Sequence, residues 1–579
     1  MSKGIKSIKD INGAGILFNR LVKHGVKYVF GYPGGAILPV LNEFYNQNHV
    51  KYILSRTETG GSFMAEGYAK ATKQPGVIMV TSGPGAINIM TSLQNALSDG
   101  TPILGLTGQV STTVLGTDAF QEADVIGISK PCTKWNNMIV DPTKISGTID
   151  RAFLNMLKKR HGPVLIDLPK NIMSMPSEEQ TDTNLCEKKD DMQSTVSYNE
   201  IYSLLAGSRK PLILAGQGII QADCVALLRC FMGKYPIPVT TTLMGLGIVH
   251  ERHKLALQML GMHGSYAANM AIQNCDLLIN LGSRFDDRII GDPSKFAPLA
   301  KIVHIDILRK NINKTVKTTL YREEDCREVL EQLLFDFPHL NNLYFQTQPW
   351  RKQLNEWKKT GFTFKKGHVL QGREVLACLN RIIHSDRKSY TIVADVGAHQ
   401  MWAAQFIEYD YPRVKFITSG GLGAMGFALP ASIGVKLGLP DDVVICVCGD
   451  GGFQMTFQEL STAIEYGIGI KVLILNNSYQ LMVKIWQEKF YHNRLMGTKM
   501  TNPPFELVCK ALGCEALRCD SSADLEKNMK YFLEFDGPIV MNMITDSAES
   551  VLPMVSPGKA LDDMILEETG EEFKGDAPC

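Results

Sequence analysis

No run of about 18 consecutive apolar residues occurs anywhere in the 579-residue sequence, so no segment reads as a membrane-spanning helix. Met1 to Asp10 carry lysines but no apolar stretch, so a secretory signal is not expected and a cytosolic location is the default expectation, with an organellar transit peptide ahead of this start as the alternative. Charge of one sign is also missing. Sixty Lys and Arg against 59 Asp and Glu leave a net charge of +1, so no long-range field draws the chain to nucleic acid or to an anionic membrane. The 13 cysteines lack the paired spacing of a zinc ligand set or a dithiol redox motif and read as reduced, mostly buried thiols. These absences leave small molecules and other subunits as partners.

What is present is 45% hydrophobic and 21% charged, with 51 glycines, the balance of a soluble α/β protein rich in strand-to-helix turns. The length exceeds what one core can organise and predicts roughly three domains. The polar stretch Ser177 to Thr195 has no helical or strand period and reads as a linker. A second connecting stretch runs from Asn341 to Lys366, which places domains at 1–176, 196–345 and 367–579. Short Val- and Ile-rich runs such as Gly76 to Val80, Pro211 to Leu214, Val443 to Val447 and Lys471 to Leu475 give way to amphipathic patterns, as parallel strands feeding helices do. Three doubly wound parallel-sheet α/β domains follow, with ligands expected beyond the carboxyl ends of the strands.

The run Val443 to Val447 leads into Gly449-Asp450-Gly451-Gly452, and the next run, Lys471 to Leu475, ends in Asn476-Asn477. Asp450 and Asn477 thus arrive at strand ends and supply two oxygen ligands, the number Mg²⁺ takes from protein when phosphate and water complete its shell. Glycine lets backbone approach a diphosphate, and the following helix N-terminus adds partial positive charge. A Gly-Asp-Gly alone is usually a plain turn. Its pairing with Asn-Asn across 24 residues is far more specific.

That pairing is similar to the signature of thiamine diphosphate enzymes. Further motifs resemble the acetohydroxyacid (acetolactate) synthase family from about Gly13 to Met564: Phe30 to Gly35 (FGYPGG), Thr81 to Ala86 (TSGPGA), Asp118 to Glu122 (DAFQE), Gly162 to Lys170 (GPVLIDLPK), Leu260 to Gly264 (LGMHG), Arg284 to Arg288 (RFDDR) and Thr418 to Pro430. The resemblance implies thiamine diphosphate, Mg²⁺ and FAD as cofactors. It assigns Asp450, Asn477 and the carbonyl of Tyr479 to the metal, and Glu58 to the acid that hydrogen-bonds the cofactor's aminopyrimidine ring so that the ring can take the thiazolium C2 proton. Met425 takes the place of the bulky residue that props the bent cofactor. Without the family, Glu58 is an unremarkable surface glutamate and Met425 ordinary core. Cofactor contacts are implied for Tyr32, Pro33, Gly34, Pro84, Asn88 and Gln121 in the first domain. In the third they are implied for Val396, Gly397, His399, Gln400, Gly423, Gly449, Gly451, Gly452 and Met482.

The implied reaction decarboxylates pyruvate and joins the two-carbon unit to a second 2-keto acid, pyruvate or 2-ketobutyrate. Arg288 is the implied cation for the acceptor carboxylate, with Met262, Phe120 and Lys170 around it, and Gly35 and Gln121 as polar contacts to reacting oxygens. Trp486 is placed against the acceptor's alkyl group, where one methylene discriminates by about 1–3 kcal/mol. For the flavin, Met262, His263, Gly264, Gly282, Arg284, Asp286, Arg288, Ile289, Asp306 and Asp325 are the implied neighbours, and Val551 to Ile565 matches a C-terminal lid. Family members build each site from two chains, so a homodimer or homotetramer is expected, with a small regulatory subunit as a further partner. The chain departs from the family pattern at Thr57 and Thr59 beside Glu58, at Ile87, Ala398, Gly452 and Leu481, and at Glu324-Asp325-Cys326. A related decarboxylase and an inactive binding paralogue are the competing readings. Arg288, Trp486 and the flavin segments oppose the first; Glu58, Asp450 and Asn477 oppose the second.

Overall fold

The computed structural model describes residues 11–45, 47–177, 196–336, 343–360 and 369–567. Strands β1 to β6 are Tyr28–Tyr32, Lys51–Leu54, Gly76–Val80, Ile103–Gln109, Trp135–Met138 and Val164–Pro169. They form a parallel sheet in the order β2-β1-β3-β4-β6-β5. Strands β7 to β12 are Pro211–Ala215, Val239–Thr241, Ala256–Met259, Leu277–Leu281, Lys301–Asp306 and Leu320–Glu323, ordered β12-β11-β10-β7-β8-β9. Strands β13 to β18 are Tyr390–Ala394, Val414–Thr418, Val443–Gly449, Lys471–Asn476, Glu515–Cys519 and Ile539–Ile544, ordered β14-β13-β15-β16-β18-β17.

The continuous apolar runs are explained by burial on both faces of each sheet. In β3, Val77 and Met79 enter one core while Ile78 and Val80 enter another. In β15, Ile445 and Val447 face one core, and Val444, Cys446 and Cys448 face the core that also receives Ile78 and Val80. The first and third sheets therefore share a core, closed by helices Glu58–Thr72 and Ala428–Gly438. Those helices touch at backbone distance: a Cβ on Gly434 would come within 1.8 Å of the Met64 carbonyl, and one on Gly67 within 2.1 Å of that of Ala431. Only glycine permits this approach at both places.

Part of the stretch read as a connection between the second and third domains is ordered differently. Helix Gln348–Trp357 buries Trp350 and Leu354 among residues of the second sheet's unit, and Trp350 Nε1 donates to the Pro211 carbonyl at 3.1 Å. The stretch expected to link the first two domains lies, from 178 onward, outside the described residues. The segment expected as a lid forms a small antiparallel pair, Met554–Val555 with Met564–Ile565, and Val555 and Leu561 pack into the second domain's core. The 11 described cysteines are free thiols, nine of them buried. Among the described residues no helix is long and apolar enough to cross a membrane.

Candidate active site

Each sheet has a central switch point from which the chain winds outward both ways, between β1 and β3, β7 and β10, or β13 and β15. At such points the connections leave on opposite faces and open a crevice at the strand ends. The crevices of the second and third sheets merge into one cavity of about 840 Å³. On the third-domain side its wall includes Val396, Gly397, His399 and Gln400 after β13, Gly449, Asp450, Gly451 and Gly452 at β15, and Asn477 and Tyr479 after β16. Gly423, Met425, Met482 and Trp486 complete this side.

Asp450 is buried at the start of helix Asp450–Thr456, and burial raises its pKa above the ordinary carboxylate value. Asn502 Nδ2 donates to its Oδ2 at 2.6 Å. Asn477 Oδ1 accepts from the Tyr479 amide at 3.0 Å, which turns the chain at Ser478 (φ 60°). The His399 ring lies where Cβ atoms on Gly397 and Gly449 would strike it, at 2.7 and 3.0 Å. Burial lowers its pKa to about 3, so the ring is neutral, and Nε2 has no hydrogen-bond partner among the described residues.

The second-domain side of the cavity carries Met262, His263, Gly282, Arg284, Asp286, Arg288, Ile289, Asp306 and Asp325; Gly264 is buried behind it. Arg288, largely exposed, shares the wall with Trp486, so the two residues expected to recognise the acceptor face the same space as Asp450. Its backbone carbonyl accepts from the Met262 amide at 2.9 Å, and the Met262 carbonyl accepts from Val555. His263 Nδ1 is hydrogen-bonded to the Pro553 carbonyl. The lid segment thus braces the back of this wall and contributes no residue to the cavity lining. Arg160, from the first domain, was not anticipated: it stands near Arg284, and burial together with that like charge lowers its pKa to about 10. Asp306 accepts two bonds from Asn311 Nδ2 and one from the Leu308 amide, and burial raises its pKa.

The remaining expected site residues lie elsewhere. Tyr32 ends β1 and Pro33, Gly34 and Gly35 follow it, and Pro84 begins the turn of helix Pro84–Asn88 after β3. Asn88 Nδ2 donates to Glu58 Oε2 at 3.0 Å, so these two do meet. Gln121 holds a positive φ of 62° against Gly83, Lys170 is exposed, and Phe120 is 88% exposed. None of this group lines the cavity of the same chain.

Two departures from the family pattern have structural roles. Thr57 caps helix Glu58–Thr72, its Oγ1 accepting from the Gly60 amide at 2.9 Å and donating to Glu459 of the third domain. A Cβ on Gly452 would come 3.0 Å from the carboxyl carbon of Asp395, which accepts the amides of Val396, Gly426 and Ala428. Glu324 turns away from the cavity, bonded to Tyr198 and Arg322. Nothing in the structure explains Ile87 or Ala398.

A buried ionic network ties the first domain to the cavity loop. Lys70 Nζ lies 2.6 Å from Asp99 and 3.1 Å from Glu66, and donates to the Thr418 carbonyl. Asp99 accepts the amides of Gly420 and Gly421, while Ser419 Oγ donates to Asn95, itself bonded to Glu66. Thr418 to Gly421 belong to the Thr418 to Pro430 motif, but Glu66, Lys70, Asn95 and Asp99 belong to none, and the pattern Glu66-Lys70 at i, i+4 is the local signal for them.

Comparison with known proteins agrees with this division of the chain. Family profiles described as the N-terminal TPP binding, central and C-terminal TPP binding domains of thiamine pyrophosphate enzymes match residues 11–128, 198–333 and 395–543. The chain is 43% identical to the mitochondrial acetolactate synthase of Schizosaccharomyces pombe, covering 96% of this chain and 86% of that protein. It is 41% identical to the acetolactate synthase large subunit of Lactococcus lactis, covering 97% of each. Against the mitochondrial acetolactate synthase catalytic subunit of Saccharomyces cerevisiae it is 40% identical, covering 95% of this chain and 83% of that protein.

Proposed function

The chain belongs to the acetolactate synthase family of thiamine diphosphate enzymes, and on that premise we propose that it decarboxylates pyruvate and transfers the two-carbon unit to a second 2-keto acid. The observation that carries this reading is one cavity holding Asp450 and Asn477 together with Arg288 and Trp486. A plain decarboxylase needs the first pair; a carboligase also needs a cation for an acceptor carboxylate and an apolar surface for its alkyl group.

The donor set suits Mg²⁺: one carboxylate, one amide oxygen and the Tyr479 carbonyl, all oxygen, at the entrance to a helix. Thiamine diphosphate, when bound, supplies the nucleophilic carbon. His399 Nε2, buried and unpartnered on the wall, is the group that gains a partner on binding. For FAD the fit rests on the near pair Arg160 and Arg284, whose like charges an anionic diphosphate relieves, beside Asp306 as an acceptor for sugar hydroxyls. Around the reacting groups, Arg288 would orient the acceptor carboxylate, Trp486 and Met262 would exclude water, and Glu58 would hold a proton against the aminopyrimidine. Gln121, Lys170, Phe120 and Gly35 would complete the pocket.

Glu58 and its neighbours do not line the cavity of their own chain, which supports a homodimer in which one copy's Glu58 region closes the other's cavity. Tyr32, Ile87, Phe120 and Leu422, all exposed large apolar side chains, are the surface such a dimer would bury. Association into a tetramer or with a regulatory subunit is left to sedimentation. Two of the three relatives are named mitochondrial, so cell fractionation tests the cytosolic expectation.

The activity is tested by incubating the protein with pyruvate, thiamine diphosphate, Mg²⁺ and FAD. Acetolactate is the expected product. Acetaldehyde, or no product from cofactor-loaded protein, contradicts the reading, and omission of FAD separates the flavin assignment from the rest.

A further inference from the structure

Asn502 lies outside every motif that points to the cofactors, in a loop between helices Leu481–Phe490 and Phe505–Ala511. Its Nδ2 spends both hydrogens, on Asp450 Oδ2 at 2.6 Å and on Asn476 Oδ1 at 2.9 Å, and its Oδ1 accepts from Gln454 Nε2 at 2.9 Å. With both donors and one acceptor lone pair engaged, only one orientation of the amide satisfies its neighbours. The series continues away from the cavity: Asn476 Nδ2 donates to Asn542 Oδ1 at 3.1 Å, and Asn542 Nδ2 to Glu506 Oε2 at 2.9 Å. The same loop also straps the main chain of the Asn477 turn. The Gln480 amide donates to the Thr498 carbonyl at 2.7 Å, and the Met500 amide to the Ser478 carbonyl at 2.8 Å.

Asp450 and the turn that carries Asn477 and Tyr479 come from two different strands, and Asn502 is the side chain bonded to both strand ends. One oxygen of Asp450 is held by it, which fixes the rotation of the carboxylate. We propose that Asn502 is a positioning residue for the metal site, holding Asp450 and the Asn476–Tyr479 turn in the arrangement that takes Mg²⁺ with a diphosphate. This rests on the assignment of Asp450 and Asn477 as metal ligands. Groups that orient a ligand without touching the metal change its affinity by about 10- to 100-fold when removed.

The test is calorimetric titration of Mg²⁺ into the full-length protein with thiamine diphosphate present, for wild type, Asn502→Ala and Gln454→Leu. Urea unfolding of each cofactor-free protein gives stability separately. Asn502→Ala is expected to weaken Mg²⁺ binding about 10- to 100-fold while the rate at saturating Mg²⁺ is kept. Gln454→Leu, which leaves Asn502 in place without its anchor, is expected to weaken binding in the same direction and by less, and it decides the matter if Asn502→Ala does not fold. Wild-type Mg²⁺ affinity in both variants, whatever their stability, overturns the proposal and leaves the metal site standing. Wild-type protein that binds thiamine diphosphate without Mg²⁺ overturns the metal assignment and the proposal with it.

Discussion

At the ends of β13, β15 and β16, His399, Asp450 and Asn477 sit in a walled cavity with Arg288 and Trp486, while Tyr32 at the end of β1 and Phe120 in the loop after β4 are exposed. Both regions use the same device, glycine-rich turns at the switch point of a sheet. They differ in completeness. The third-domain region has a wall from the second domain, whereas Glu58 is hydrogen-bonded by the Asn88 amide and neither residue lines the cavity of its own chain. On the proposed reading a single chain carries two unlike half-sites, and the chemistry proposed for Glu58 would need a surface brought by a second copy.

The largest separation of the two regions should come from Glu58→Gln. It leaves the Asp450 side intact, so Mg²⁺ and thiamine diphosphate should still bind by calorimetry, while turnover falls by about 10²- to 10⁴-fold, the range for a lost proton-transferring group. Slow exchange of the cofactor's C2 proton is the accompanying signature, and wild-type exchange would remove Glu58 from the mechanism.

Next comes the link between the regions. Asp99→Ala leaves Lys70 buried with Glu66 as its remaining carboxylate and frees the Gly420 and Gly421 amides, so urea unfolding should show a loss of about 3–5 kcal/mol. Glu526→Ala, which breaks only the exposed pairs with Arg381 and Lys530, should leave the unfolding midpoint close to wild type. Equal effects would mean that the ionic network is not what joins first domain to cavity loop.

The effect confined to one pH window concerns acid. His399 is neutral in the fold, its pKa lowered from 6.5 to about 3, so its share of stability is present above pH 6.5 and is lost as pH falls toward 3. Cofactor-free His399→Gln should accordingly lose stability less steeply than wild type, by up to about 1.4 kcal/mol for each pH unit below 6.5. Parallel profiles in thermal unfolding would show that the ring is not held as described.

Legibility in the sequence followed the same division. The strand-end motifs were readable because glycine, aspartate and asparagine at a switch point have few other uses, and Asp450 and Asn477 could be paired from spacing alone. Glu58 could not: its local sequence is that of any helix start, and only resemblance singled it out. The Lys70 network and Asn502 escaped because, Glu66 at i, i+4 apart, the partners of Lys70 are 29 and 348 residues away and those of Asn502 26 to 52, and no local pattern encodes such contacts. Helix Gln348–Trp357 was a missed signal of a different kind. Trp350, Leu354 and Trp357 recur at helical spacing, but the lysines and the flanking polar residues made the stretch read as a connection.

The account stands or falls on whether one chain's Glu58 region completes another's cavity. Glu58→Gln and Asp450→Ala proteins, each inactive alone, can be mixed, dissociated and reassembled, and acetolactate formation measured. If the site spans two copies, each mixed dimer contains one site with both residues intact, and activity should return to about a quarter of wild type. A mixture that stays inactive, with mixed dimers verified by mass, would place both residues in one chain's site and contradict the account.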